Sequence, residues 1–466
     1  MRFALALAAL SLAPLAPAGE LTVGFAEVDI TPALGGKPVY LAGFGTGRVA
    51  TKVHDPVMAR AVVLADGRRK VALISVDLVG LFHESVEAVR KSLPGFDYVL
   101  VSSTHSHEGP DTLGIWGRSP FQSGVDPDYL LAVEAGCAKA AKEADARRQA
   151  ATARVGTAKG PELLHDGRKP VVKHDDLVTL EFRESKGGAP IGVLVQWNCH
   201  PETLGDKNTE VSADFVHYTV KHLRAGHKCP VAYFTGTVGG LMTSLHVEVR
   251  DAAGALLRDG TWEKTEGYGV AVGKLADKAL AAGVAVTLTP FLVKTRVVLM
   301  PVENNLYRVG KQAGVLKRKM YLLDGAKPDP AAWVETADAT KPVGVKTEVG
   351  YLRLGELEIA AIPGEIYPEL VLGQVQDPPD PGADFPGAAV EPSIYGQLTA
   401  KHRMLFGLAN DQLGYFIPKR QWDDKPPYCY GLKKSQYGEI NSVGPDAAGL
   451  VCETFRELVR SAATPK

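Results

Sequence analysis

The chain has 466 residues, of which 45% are hydrophobic and 23% charged, and it carries a formal net charge of -1. That is the composition of an ordinary soluble globular protein with ample core, and it excludes a disordered chain. Near-neutral charge without long like-charge runs gives no electrostatic footprint for nucleic acid or for an anionic membrane.

In chain order, Arg2 is followed by an apolar run from Ala4 to Ala16 and by small residues at Ala16 and Ala18, before Gly19 and Glu20. This pattern predicts a signal peptide over residues 1–18, with a mature chain beginning near Gly19 and exported to a periplasm or secreted. No later stretch offers the roughly 20 unbroken apolar residues of a membrane span. Cys137, Cys199, Cys229, Cys429 and Cys452 are odd in number and at no metal-binding spacing. They allow at most two disulfides, with Cys429–Cys452 one possible pair and buried thiols the alternative.

Strand-like runs at Val71–Val76, Tyr98–Val101, Ile191–Trp197, Val231–Phe234, Leu357–Ile362 and Met404–Leu408 alternate with segments of helical period. The helical segments are Tyr129–Arg147, Ala213–Arg224, Tyr268–Ala282 and Leu450–Ser461. The alternation predicts an α/β fold, a mixed sheet covered by helices. A stretch rich in Pro, Gly and Asp at Asp377–Gly387 reads as a structureless insertion within one domain, and no internal repeat is evident. Each of the six runs ends in polar or glycine-rich sequence, and loops at the carboxyl ends of α/β strands converge on ligand crevices. Those loops are the predicted site.

The densest of them is Thr104-His105-Ser106-His107-Glu108-Gly109-Pro110-Asp111. Zinc takes His, carboxylate or Cys ligands and keeps an open position when catalytic, so His105, His107, His200 and Glu365 are candidates if their loops meet. In a regular strand the two rings of His-x-His point to opposite faces. Both would ligate only if the chain turns there, so one ligand plus one acid/base or substrate contact is expected. Either Ser212 caps a helix and Asp214 meets the positive end of its dipole, or Asp214 orients a ligand histidine; Asp77 either backs His105 or His200 or caps a turn. His54 reads as structural.

Several motifs in order resemble the neutral (non-lysosomal) ceramidases and their bacterial relatives: Gly24–Pro32, Val53–Leu64, Thr104–Asp111, Asn198–Gly205, Val211–Phe215, Pro363–Glu365 and Gly407–Tyr415. The resemblance covers nearly the whole mature chain, residues 19–466, as one catalytic domain without the immunoglobulin-like C-terminal domain of full-length ceramidases. It implies Zn²⁺ held by His105, His200, Glu365 and Tyr415, with His107 at the reacting carbonyl or leaving group. Arg168 matches a substrate-contacting arginine and Tyr437 a site tyrosine; a proton must also reach the leaving amine, and His107 or Glu108, next to the metal ligand, could deliver it. The implied reaction is hydrolysis of an N-acyl amide, ceramide or a related compound, by a metal-bound hydroxide.

Two departures weaken the match to ceramide itself. Met242 stands where ceramidases have a serine, and a thioether cannot attack or donate a hydrogen bond. Glu108 replaces their usual serine. The alternatives are an exported metallohydrolase acting on another ester, peptide or carbohydrate-derived substrate, and a non-catalytic zinc-containing binding protein. A lipid substrate would imply transient membrane-surface contact; the oligomeric state is not read from the sequence.

Overall fold

The computed structural model describes residues 19–463. The predicted signal peptide lies outside them. Two sheets dominate the described residues. The larger has nine strands, and its neighbours in order are Val231–Thr235, Pro190–Trp197, Asp176–Glu184, Gln149–Lys159, Thr22–Asp29, Met58–Ala65, Lys70–Val76 and Tyr98–Ser103. Val284–Val286 adds beside Gln149–Lys159. The second has six, built on the long antiparallel pair Phe291–Pro301 and Val343–Leu354 and extended by Leu357–Ala361 and His402–Phe406.

The period-two alternation of each strand decides what covers it. Leu73 and Leu100 share one buried cluster with Leu352, Ile359 and Phe406, so the two sheets pack face to face there. Their chain neighbours Ile74 and Val101 turn the other way, onto the helix Pro127–Ala146. Val193, Val195 and Tyr233 similarly meet helices Phe215–His227 and Trp262–Ala281, and Tyr351 and Leu405 meet helix Ala447–Ala463. The layering is therefore helix, sheet, sheet, helix, where the sequence suggested a single covered sheet.

All four predicted helices form, and so do the six predicted strands. Those six strands make three parallel pairs: Lys70–Val76 with Tyr98–Ser103, Pro190–Trp197 with Val231–Thr235, and Leu357–Ala361 with His402–Phe406. Most other ladders are antiparallel, so the parallel pairs are where carboxyl ends lie side by side. Hydrogen bonds stitch these ends together. Thr235 Oγ1 donates to Thr104 O at 2.6 Å, Gly407 N to Thr235 O at 2.9 Å, and Asn410 N to Val101 O at 2.7 Å.

Local chemistry sets several boundaries. Asp126 caps the Pro127–Ala146 helix, whose first residue is the proline that position favours. Asp214 caps Phe215–His227, accepting from Phe215 N at 2.6 Å. Asp214, not Ser212, is the cap, while Ser212 Oγ accepts from Asp214 N at 2.9 Å. Asp77 does not back either histidine: its carboxylate accepts from Arg60 Nη1 at 2.7 Å and from Met58 N at 3.0 Å. Asp111 organises its turn through Leu113, Gly114 and Trp116 amides. His54 stacks on Trp262. No disulfide forms, since all five cysteines are free and buried. Between Leu372 and Ile394 no helix or strand occurs, which fits the predicted insertion. No described helix is long and apolar enough to cross a membrane.

Candidate active site

The Tyr98–Ser103 strand delivers the histidine motif, and the chain turns as it leaves the sheet. His105 adopts φ 71°, an uncommon conformation for a side chain bearing a Cβ. This turn overrides the alternation expected of a strand. Both rings face one way, with the His105 and His107 centroids 4.9 Å apart and that of His200 within 4.8 Å of His105. The ligating nitrogens of His105, His107 and His200 all lie within 4.8 Å of one another. Backbone strain of this kind concentrates at functional sites.

His200 follows the Pro190–Trp197 strand. Its Nδ1 is 2.8 Å from Met242 O, and that of His105 is 2.6 Å from Val79 O. A carbonyl only accepts, so each Nδ1 carries a hydrogen and Nε2 is the nitrogen each ring turns toward the site. Both Nε2 atoms approach one oxygen, Glu365 Oε2, at 3.3 Å from His105 and 3.1 Å from His200. Glu365 and Tyr415 sit opposite each other in a two-residue parallel ladder, which brings Tyr415 OH to 3.4 Å from His200 Nε2. Gln412 Nε2 donates to the other Glu365 oxygen at 2.8 Å. Burial works to raise the Glu365 carboxyl, but the two histidines outweigh it and hold it well below the usual range.

His107 lies beside this group. Its Nδ1 is 3.2 Å from Glu202 Oε2. Burial lowers the imidazole to about 4 against the pull of Glu202, so it is neutral at pH 7. Burial would raise Glu202, yet the neighbouring histidine brings it to about 2, leaving it ionised.

A cavity of about 570 Å³ opens onto His105, His107, Glu365, Tyr415 and Tyr437, walled by Phe44, Phe82, Leu113, Trp116 and Leu316 among others. The Tyr437 ring stands 5.9 Å from that of Tyr415. Arg168 and Glu108 do not line this cavity. The Arg168 guanidinium is occupied by Glu439, at 2.6 and 2.8 Å, and by the carbonyls of Gln421 and Tyr437. Glu108 is fully buried and accepts from Arg48 Nη1 at 3.1 Å and Asn208 Nδ2 at 2.7 Å. Arg48 in turn donates to His107 O at 2.5 Å.

Met242 is buried in the core against the Pro190–Trp197 strand, and the contribution it makes to the site is its backbone oxygen on His200. Glu202 and Gln412 were missed by sequence reasoning. Glu202 follows His200-Pro201 directly, and that adjacency was its only signal.

No known family model matches the chain, and no curated protein sequence matches it. Among solved structures it is similar to the neutral ceramidase of Pseudomonas aeruginosa, with a TM-score of 0.70 at 15% identity over 95% of this chain and 74% of that one. A ceramidase complexed with C2 gives a TM-score of 0.67 at 14% identity, over 95% of this chain and 75% of that one. At these identities the likeness establishes the fold, which is that of the neutral ceramidases.

Proposed function

We propose that the protein is an exported, zinc-dependent hydrolase of the neutral ceramidase type that cleaves an N-acyl amide bond. The observation that carries this reading is the convergence of two imidazole Nε2 atoms on one Glu365 oxygen, each imidazole fixed by a carbonyl at Nδ1. Carbonyl or carboxylate partners on the distal nitrogen are what orient metal-binding histidines. The donor set of two nitrogens, a carboxylate and a phenol oxygen suits Zn²⁺. His105, His200, Glu365 and Tyr415 are the residues assigned to hold it, with His107 within reach of the same point.

When bound, zinc would acidify a water and polarise a carbonyl. The chain's own groups do the rest. With Nδ1 turned to Glu202, His107 has Nε2 left to take a proton from the attacking water and return it to the leaving amine. Tyr437 donates a hydrogen bond toward the carbonyl oxygen as it gains charge. Water's oxygen bonds to the carbonyl carbon, the C–N bond breaks, and a carboxylic acid and an amine result. Access from the cavity favours a catalytic over a purely structural metal, because structural zinc sites are closed. The apolar walls favour an acyl chain as the group held there.

The test is elemental analysis with turnover of N-acyl amides. About one zinc per chain is expected, lost together with activity in His105→Ala and His200→Ala. Full activity in metal-free protein would sink the reading. Export rests on the predicted signal peptide and is checked by finding the chain processed near Gly19 outside the cytoplasm.

A further inference from the structure

The cavity over the histidines opens through an apolar rim. Fifteen large hydrophobic side chains are exposed among the described residues, and six of them line this one cavity: Ile115, Phe121, Leu306, Val309, Tyr437 and Ile440. Their exposures run from 39% for Ile115 to 73% for Phe121. A side chain that both lines a cavity and faces solvent stands at its mouth. Single apolar residues are ordinary on a protein surface, but a cluster around one opening marks a face that meets another apolar phase.

Two segments build most of this rim. In helix Asn305–Gln312 no residue is buried, and helical spacing sets Leu306 and Val309 on one stripe, while Tyr307 packs inward on the core. Asn304 fixes the start of the helix: its Nδ2 donates to Ile440 O at 2.8 Å and its Oδ1 accepts from Leu306 N at 2.8 Å, which holds Leu306 beside Ile440. The second segment is the loop 114–124, which carries Ile115 and Phe121. Residues 114–124 and 304–317 include Arg118, Arg308, Lys311 and Lys317 and no Asp or Glu. Arg118, Lys311 and Lys317 make no ion pair among the described residues. Of the acids next to the rim in sequence, Glu303 is turned against Gly444 and Glu439 is buried in its pair with Arg168. The net charge of -1 hides this local excess of cations, because the two segments are far apart in the chain.

We propose that this face docks on a phospholipid surface bearing anionic headgroups, with Phe121, Leu306 and Val309 entering the acyl boundary and Arg118 and Lys311 meeting the headgroups. Apolar side chains beside unpaired cations are the pattern of elements that lie in a membrane interface. The cavity points to the same occupant as the charge does. A hydrocarbon chain leaving a lipid assembly for the cavity would otherwise cross water, whereas a docked rim lets it pass between two apolar spaces. A second copy of the chain seated on the rim would close the mouth instead. The inference rests on the hydrolase reading for what enters the cavity, but the docking itself needs no turnover.

The experiment measures vesicle binding by the mature chain, beginning near Gly19, with no substrate present and both with and without zinc. Vesicles of phosphatidylcholine alone are compared with vesicles that also contain phosphatidylglycerol. The mixed vesicles should bind about tenfold tighter or more, and Arg118→Ala/Lys311→Ala should abolish that preference. Phe121→Asp/Leu306→Asp should weaken binding to the mixed vesicles at least about tenfold. Leu256→Asp, at a residue 53% exposed but no part of this cavity, should leave binding unchanged. All three variants change exposed or half-exposed positions, so each should unfold at the wild-type denaturant midpoint, which separates lost docking from lost fold. No binding, equal binding to the two kinds of vesicle, or binding that Phe121→Asp/Leu306→Asp retains would overturn the inference and leave the hydrolase reading in place. So would a wild-type dimer in sedimentation equilibrium that the same variant dissociates. Vesicle binding by a protein that hydrolyses no amide would sink the hydrolase reading and leave the docking face standing.

Discussion

His107 is seated against Gly43, and the fit leaves no room for a methyl group. A Cβ built on Gly43, whose φ is +99°, would come within 2.2 Å of the His107 ring. Gly43→Ala should therefore push the imidazole off its position while His105, His200 and Glu365 keep their places. The expected result is retained zinc with a kcat/KM lower by on the order of 100-fold, the usual consequence of displacing a reacting group by about 1 Å. Glu108 acts on the same residue from the other side. It compensates Arg48, which is 8% exposed and holds the His107 carbonyl. Glu108→Ser, the residue of the family pattern, would leave that guanidinium buried without its carboxylate, at a cost of about 3–5 kcal/mol read by denaturant unfolding. Glu369 gives a pH test remote from the metal ligands. Burial pushes its carboxyl up to about 7, with Gln421 its hydrogen-bond partner at 3.1 Å. The folded pKa lies above the unfolded one, so the contribution is present below about pH 4.5 and lost as pH rises through about 7. Glu369→Gln should thus match the wild type at pH 4 and exceed it at pH 8.5 by up to about 3 kcal/mol.

At the scale of elements, Tyr437 lies just before the short 3-10 turn Glu439–Asn441, and the buried pair Arg168–Glu439, with both side chains no more than 3% exposed, holds that turn in place. Arg168 spans this segment by bonding both Glu439 and the Tyr437 carbonyl. Either single substitution, Arg168→Met or Glu439→Leu, should destabilise strongly because it strands a buried charge. The double variant should recover much of that stability, yet its kcat/KM should stay low because Tyr437 has lost its anchor. A double variant with wild-type kcat/KM would show that the pair serves stability alone. The difference between Arg168 as read in the sequence and as found shows where legibility ended. Strands such as Tyr98–Ser103 and Pro190–Trp197 were visible because they are continuous apolar runs, buried on both faces as parallel strands are. The helices over the outer faces were visible through their period. The short helix His83–Lys91 was not, being nine residues of mixed polarity with no side chain capping its start. Neither was the turn at His105, since φ 71° in a non-glycine residue has no marker in sequence. Partners of buried charges are equally hidden: nothing links Arg48 to Glu108 or Arg168 to Glu439 until the chain has folded.

Considered as a whole, the molecule puts its candidate ligands on both sides of the interface between its sheets. His105 and His200 leave strands of the nine-stranded sheet, whereas Glu365 follows the Leu357–Ala361 strand of the six-stranded sheet and carries Tyr415 beside it. Without a cation, three imidazoles and a carboxylate are confined in a buried space, and the attraction of Glu365 for two histidines is the local compensation. A divalent ion would bind the native arrangement and not the unfolded chain, so its affinity adds directly to stability. At free zinc 100-fold above the dissociation constant the gain is about 2.7 kcal/mol. Because the ion would join the two sheets, its removal should loosen their contact as well as lower the melting temperature. Chelation is expected to reduce Tm and to increase hydrogen exchange at both Ser103–His107 and Pro363–Ile366, with both effects reversed by added Zn²⁺. His200→Ala should show neither response. A Tm and exchange pattern unchanged by chelator in the wild type would mean that the cluster holds no ion that the fold depends on.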